Sequence, residues 1–208
     1  MKITLIILLS IIFLSCESNK EKELIKESFN KYKNAIINDN GKEAVKYVDT
    51  RTIKYYSRLL ELTKTADSIQ IEKSTLIEKF FVLAIRHTTR KDSIFKFTGQ
   101  TLYSYAIEKG MTGKDGAIKL YIDQIDIDNN FAIVALKSKN AKSDSGINIY
   151  FYKENEVWKA DWTSFFILGN AAFRNLIKSS GQEENEFIMN VLNEVYGEQN
   201  IDIWKPLT

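Results

Sequence analysis

The chain has 208 residues, 44% hydrophobic and 12% aromatic, which is apolar material for one substantial core, so a single domain is the default. Its 29 basic and 27 acidic side chains leave a formal charge of +2, a balance without the electrostatic footprint of a nucleic-acid partner. One proline and nine glycines argue against long flexible linkers, and no internal repeat or low-complexity tract is present.

After Lys2 an almost unbroken apolar run extends from Ile3 to Leu14. It is shorter than the ~20 residues of a spanning helix and has the length of a secretory h-region. The run closes on Phe13-Leu14-Ser15-Cys16, which resembles the lipobox of bacterial lipoproteins. That resemblance implies removal of residues 1–15, a thioether-linked diacylglycerol on Cys16 and attachment to the bacterial cell envelope. The alternative is a plain leader or an uncleaved anchor with Cys16, the only cysteine, as an ordinary thiol. Residues 16–22 then form a lipidated cysteine and charged tether ahead of one domain over 23–208. No aspartate directly follows Cys16, so the pattern does not resemble the inner-membrane retention signal of enteric bacteria. The outer membrane is expected, on its periplasmic or surface face.

Leu24, Ile25, Phe29, Tyr32, Ala35 and Ile36 fall on one helical stripe, stopped by Asn38-Asp39-Asn40-Gly41. A short helix is expected from Lys42 to Val48. Asp49 or Thr50 can cap the next, whose stripe is Ile53, Tyr56, Leu59 and Leu60. Asp67 to Gln70 marks a break or a new start. Thr75 and Glu78 have capping-box spacing ahead of Leu76, Ile77, Phe80, Phe81, Ala84 and Ile85.

His87, the only histidine, continues that apolar face seven residues after Phe80. It reads either as a general base or pH switch, or as a core histidine bonded to a carbonyl or a tyrosine. Arg86 beside it reads as a grip for an anionic ligand or as a surface arginine with a carboxylate partner.

From Ile94 the pattern changes to strands, broken by a helix from Gln100 to Lys109 that Gly110 ends. Met111 to Gly116 is a loop without phosphate-loop spacing. Ile118, Leu120 and Ile122 alternate on even numbers, then Ile125 and Ile127 on odd ones, which predicts a β-bulge near Asp123 and Gln124. Asp126, Asp128 and Asn130 open like a calcium loop, but Phe131 and Lys137 occupy the positions of its glycine and its closing glutamate. A hairpin turn explains the cluster, and no metal is expected. Phe131 to Lys137 returns as a strand, and 138–146 is a polar connection.

Ile147 to Lys153 and Val157 to Phe166 read as a hairpin turning at Glu154, Asn155 and Glu156. Trp158, Ala160, Trp162, Ser164 and Phe166 share its drier face, on which helices should rest. Two helices follow. The first carries Ala172, Phe173, Leu176 and Ile177 and stops at Gly181; the second, with Ser180 and Glu183 at capping-box spacing, carries Phe187, Ile188, Val191, Leu192 and Val195 up to Gly197. The tail around Ile203 and Trp204 is apolar enough to dock.

Three features are combined here: the helix from Leu24 to Ile36, the helices around Leu59 and Phe80, and the strands from Ile118 through Phe166 with Glu156-Val157-Trp158-Lys159-Ala160-Asp161. Their order resembles the cone-shaped fold shared by nuclear transport factor 2 and ketosteroid isomerase. The resemblance covers 22–166, and the helices from Leu168 to Tyr196 are an addition. It implies an α+β fold with N-terminal helices packed on a curved antiparallel sheet and two additional C-terminal helices. It also implies a pocket between sheet and helices, which some relatives use for catalysis and many for binding or dimerisation.

Two functions are open. One is a lipid-anchored, noncatalytic envelope protein that binds a small apolar ligand or an envelope protein. Tyr105, Tyr150, Trp158 and Trp162 are its pocket or interface aromatics, unless they are core. The other is a small-molecule isomerase or hydrolase using His87, Asp123 or Asp161 with help from a tyrosine. Strand parity sets Asp161 with Lys159 opposite Trp158, on a face where an aspartate is ordinarily solvated. Binding is the preferred reading, with no cofactor and with homodimerisation left open.

Overall fold

The structure, a computed structural model, describes residues 2–139, 146–199 and 201–207, with side chains from Asn19 onward. The Leu14-Ser15-Cys16 junction lies outside the described side chains, and the polar connection of 138–146 lies largely outside the described residues. The chain is α+β and forms two compact units, Met1–Thr50 with Ser104–Trp162, and Arg51–Tyr103 with Thr163–Thr208.

The first unit is an antiparallel sheet with a long helix on it. Its strands are β1 (Leu120–Asp128), β2 (Phe131–Ser138), β3 (Ile147–Glu154) and β4 (Val157–Asp161), in that spatial order. The β1–β2 register shifts between Ile122 and Gln124, so the bulge lies at Asp123, where the change of parity places it. Ile125, Val134, Ile149, Phe151, Trp158 and Ala160 form a buried inner face. Two-residue turns close the outer hairpins. Asn129 lies at φ 53°, and Asn155 and Glu156 at φ 51° and 64°, the left-handed pair of a type I′ turn.

α1 (Lys2–Ile37) buries Ile25, Phe29, Tyr32, Ala35 and Ile36, the stripe that its spacing predicts. Along it, the Ser28 hydroxyl donates to the Trp158 carbonyl on β4, and Lys33 Nζ donates to the Leu120 carbonyl on β1 at 2.6 Å. The helix therefore crosses the whole sheet from one edge strand to the other. From Ser28 to Lys33 the helix rises about 7.5 Å, and the long Lys33 side chain reaches across most of what remains of three strand spacings of about 14 Å. Residues 19–22, expected as tether, belong to this helix, because Glu21 has partners on the sheet. After α2 (Gly41–Ala44) and a 3-10 turn (Val45–Tyr47), Val48 forms a parallel bridge with Ala160, which covers the free edge of β4. α2 lies so close to the backbone of Ser104 that a side chain at Gly41 would overlap it. Farther on, α8 (Lys114–Lys119) takes Ile118 out of the expected strand and leaves it exposed.

The second unit is helical: α3 (Thr50–Thr65), α4 (Ser68–Glu72), α5 (Leu76–Thr88), α6 (Lys91–Ile94), the first half of α7 (Gly99–Glu108), α9 (Thr163–Ser180) and α10 (Glu184–Tyr196). Asp67 with Gln70 and Thr75 with Glu78 form reciprocal capping boxes that start α4 and α5. Ile71, Leu76, Val82, Leu83, Ile188, Leu192 and Ile203 make its core, with Phe80, Phe173 and Trp204 packed against it. The tail docks, and Leu207 N–H donates to the Lys64 carbonyl at 2.9 Å.

Three expectations are corrected here. The strand from Val157 ends at Asp161, and the residues after it are helical. Phe166, Phe173 and Ile177 continue at helical spacing for three turns, which outweighs a period-two alternation between Trp158 and Phe166 that ends with the strand. Around Ile94 the chain is α6 and a turn instead of a strand, with Ile94 fully buried. Ser180 caps nothing in α10. Its hydroxyl closes α9 by donating to the Ile177 carbonyl at 2.7 Å, and Glu183 stands at the N-cap without a side-chain bond.

Candidate functional site

The two faces of the sheet differ in what they offer a ligand. On the inner face Trp158 is 1% exposed, opposite Lys153 in the register, and α1 clasps both. Glu21 Oε2 accepts from the Trp158 indole N–H at 2.6 Å, and Oε1 lies 3.2 Å from Lys153 Nζ. Burial pushes the Glu21 carboxyl up, but the bonds from Trp158 and Lys153 and the charges of Lys153 and Lys20 outweigh it and hold the group below its ordinary value. The bond to Glu21 raises Lys153 in turn. Trp158 is thus a core residue and no pocket wall. Trp162, just past the strand, is half-buried with its ring stacked on Tyr32 at 4.5 Å.

On the outer face, the two central strands place Phe131 opposite Tyr152 and Ile133 opposite Tyr150. The rings of Phe131 and Tyr150 lie 5.7 Å apart, and those of Phe131 and Tyr152 lie 5.2 Å apart. Ile133 is 37% and Tyr150 38% exposed. On β1, Asp126 pairs with Ile133 and Asp128 with Phe131, so an acidic border runs along this patch. Sequence reading singled out only Tyr150 of the four. The signal for its neighbours was the hairpin register, which sets odd positions of β2 beside even positions of β3.

The acid–base candidates do not converge. Asp123 sits in the bulge, 3.2 Å from Lys137 Nζ. Asp161 ends β4, three strands away, a separation of about 14 Å. It lies opposite Tyr150 in the register but is 6% exposed, not solvated as its parity suggested, because parity assigns a side of the sheet and says nothing of what covers it. Tyr105, half-buried on α7, has the Lys109 ammonium 5.7 Å from its ring centre.

In the second unit His87 is buried, its Nε2 2.8 Å from the Gly197 carbonyl at the end of α10. It is the carbonyl-bonded core histidine of the two readings. Arg86 departs from both of its readings. It is 2% exposed, and its hydrogen bonds run to the carbonyls of Thr63 (2.8 Å), Ile203 (3.0 Å), Leu62 (3.1 Å) and Ala66 (2.7 Å). The guanidinium satisfies the Thr63 and Ala66 carbonyls at and just past the end of α3 and shares the Leu62 carbonyl with the Ala66 N–H, and burial pushes its pKa down to about 10. Lys79, also buried, bonds Glu72 and Glu184, each at 2.6 Å, and Asn185 at 3.1 Å, tying α4, α5 and α10 together.

A shallow polar depression of about 550 Å³ runs along the solvent side of α1, lined by Lys20, Glu23, Glu27, Asn30, Lys31 and Asn34. Among the described residues no group of three or more His, Cys, Asp or Glu is placed to hold a metal ion, and no helix is long and apolar enough to cross a membrane. No family model, curated protein or solved structure matches the chain.

Proposed function

We propose that this chain is a bacterial cell-envelope lipoprotein, held by acyl chains on Cys16, whose domain binds an envelope protein without catalysing a reaction. The observation that carries the binding half is the patch of Phe131, Ile133, Tyr150 and Tyr152 on the central strands, bordered by Asp126 and Asp128. Open aromatic surface with a polar rim has the composition of a protein interface, whereas a small apolar ligand needs a concavity, and Trp158 and Phe151 fill the inner face. His87, Asp123 and Asp161 work against an isomerase or hydrolase, because the first two are engaged by Gly197 and Lys137 and the third lies at the opposite edge of the sheet from Asp123. The long helix laid across a bulged antiparallel sheet supports the cone-shaped resemblance.

The sequence carries the anchoring half, and Glu21 adds to it. Five residue steps separate the cysteine from a carboxylate already bonded to the sheet. Even fully extended they reach about 17 Å, which keeps the first unit close to the lipid surface.

The test is a benzophenone amino acid replacing Ile133 in living cells. We expect a light-dependent adduct with one discrete envelope protein, reduced by Tyr150→Glu, and loss of membrane fractionation in Cys16→Ala. No adduct, together with a small molecule retained in native mass spectrometry, would replace the partner reading with a ligand reading. Membrane fractionation of Cys16→Ala without lipid mass on the wild type would remove the anchor.

A further inference from the structure

α9 is the one helix longer than three turns in the second unit that has no buried residue, although it is rich in Phe, Ile, Leu and Ala. One side of it packs. Phe173 meets Phe80 at 5.1 Å and Phe187 at 5.6 Å, and Asn170 Oδ1 accepts from the Ile77 N–H at 2.9 Å. The other side is left open. Ile167 is 74%, Leu168 45% and Leu176 57% exposed, with Ala171 and Ala172 exposed between them.

The open residues form two neighbouring rows. Leu168, Ala172 and Leu176 recur every four residues, and Ile167 and Ala171 lie beside them. Arg174 and Lys178 continue the second row. α9 contains no Asp or Glu, and among the described residues neither cation has an ion-pair partner. This is a cationic helix with an uncovered apolar face. A soluble surface seldom leaves such a face uncovered without a use for it.

The charge selects the occupant. A second copy would bring the same acid-free face and no carboxylate for Arg174 or Lys178. An anionic phospholipid surface meets both requirements, with acyl chains below the apolar rows and phosphates at their edge. We propose that α9 lies in the plane of such a surface, with Ile167, Leu168, Ala172 and Leu176 in the acyl boundary and Arg174 and Lys178 at the phosphates. The inference rests on the envelope reading for the presence of a membrane, but not on the lipid at Cys16.

The experiment uses the full chain, produced with its leader in a bacterial envelope, with an environment-sensitive fluorescent amino acid replacing Leu168. A second preparation carries the same probe in place of Asp128, at the end of β1. Each is mixed into vesicles of phosphatidylcholine alone or with phosphatidylglycerol, and intact mass separately reports acylation of Cys16. We expect a blue shift at position 168 in anionic vesicles, quenched by nitroxide-labelled lipid, with position 128 unchanged. Arg174→Glu with Lys178→Glu, checked for native thermal melting, should shift the seated equilibrium about thirtyfold or more toward water. A probe at 168 that stays in water, an equal response at 128, or indifference to the charge reversal would overturn the proposal. So would a shift without lipid that grows with protein concentration, which would assign the face to a second copy.

Discussion

The Arg86 guanidinium donates to the Ile203 carbonyl at 3.0 Å, joining α5 to the C-terminal tail with the same group that closes the end of α3. A buried cation bonded to carbonyls is a structural device, because its N–H groups meet buried carbonyls at the end of α3 and in the tail. Arg86→Met should cost about 3 kcal/mol or more, since a buried acceptor left unmet costs about 1 to 3. Arg86→Lys should recover only part of it, because an ammonium cannot span the fork. Urea midpoints of the three proteins check this. A wild-type midpoint for Arg86→Met would remove the role.

Trp158 is sealed beneath α1, so Trp158→Ala should cost about 3 to 5 kcal/mol. Trp158→Phe keeps a six-membered aromatic ring in the core but loses the five-membered ring and its indole N–H to Glu21, and should cost less. Thermal or urea unfolding separates the two terms.

Glu21 gives the fold an acid limb. Its folded-state pKa is depressed, so the stability it contributes is fully present above the ordinary carboxylate value and is lost as pH falls through the lower folded-state value. Glu21→Gln should flatten that part of the stability profile, on the acid side of the ordinary carboxylate value. Equal slopes for variant and wild type would contradict the linkage.

Backbone positions should respond with opposite signs. Gly41→Ala pushes a methyl group into the Ser104 backbone and should destabilise by about 1 to 3 kcal/mol. Glu156→Gly relieves a left-handed non-glycine residue in the β3–β4 turn and should gain up to about 1 kcal/mol, less whatever the exposed pair with Lys153 supplies. Denaturant midpoints of both variants read the signs.

His87→Ala, Asp123→Asn and Asp161→Asn should leave background rates on ester, phosphoester and ketosteroid substrates equal to wild type. A well-folded variant that loses tenfold of a reproducible activity, about 1.4 kcal/mol in the barrier, would restore the catalytic reading.

Local patterns in the sequence were sufficient for features whose cause lies within a few residues. The new start at Asp67, the capping box at Thr75, the stop at Gly181, the bulge at Asp123 and the buried stripe from Ile25 to Ile36 each follow from spacing alone, because their hydrogen bonds or faces are set by neighbours along the chain. Tertiary structure decided what depends on distant partners. Glu21 became part of a docked helix through an indole 137 residues away, and Arg86 went inward because the ends of α3 and the tail presented carbonyls to it. The strand after Asp161 turned into a helix because Phe166 had Tyr55 to stack on, Phe173 had Phe80 and Phe187, and Ile177 had the core of the second unit. Burial of Asp161 and exposure of Leu168 are likewise properties of what covers a surface. No periodicity along the chain encodes that covering, since alternation specifies which residues share a face and not what lies above it.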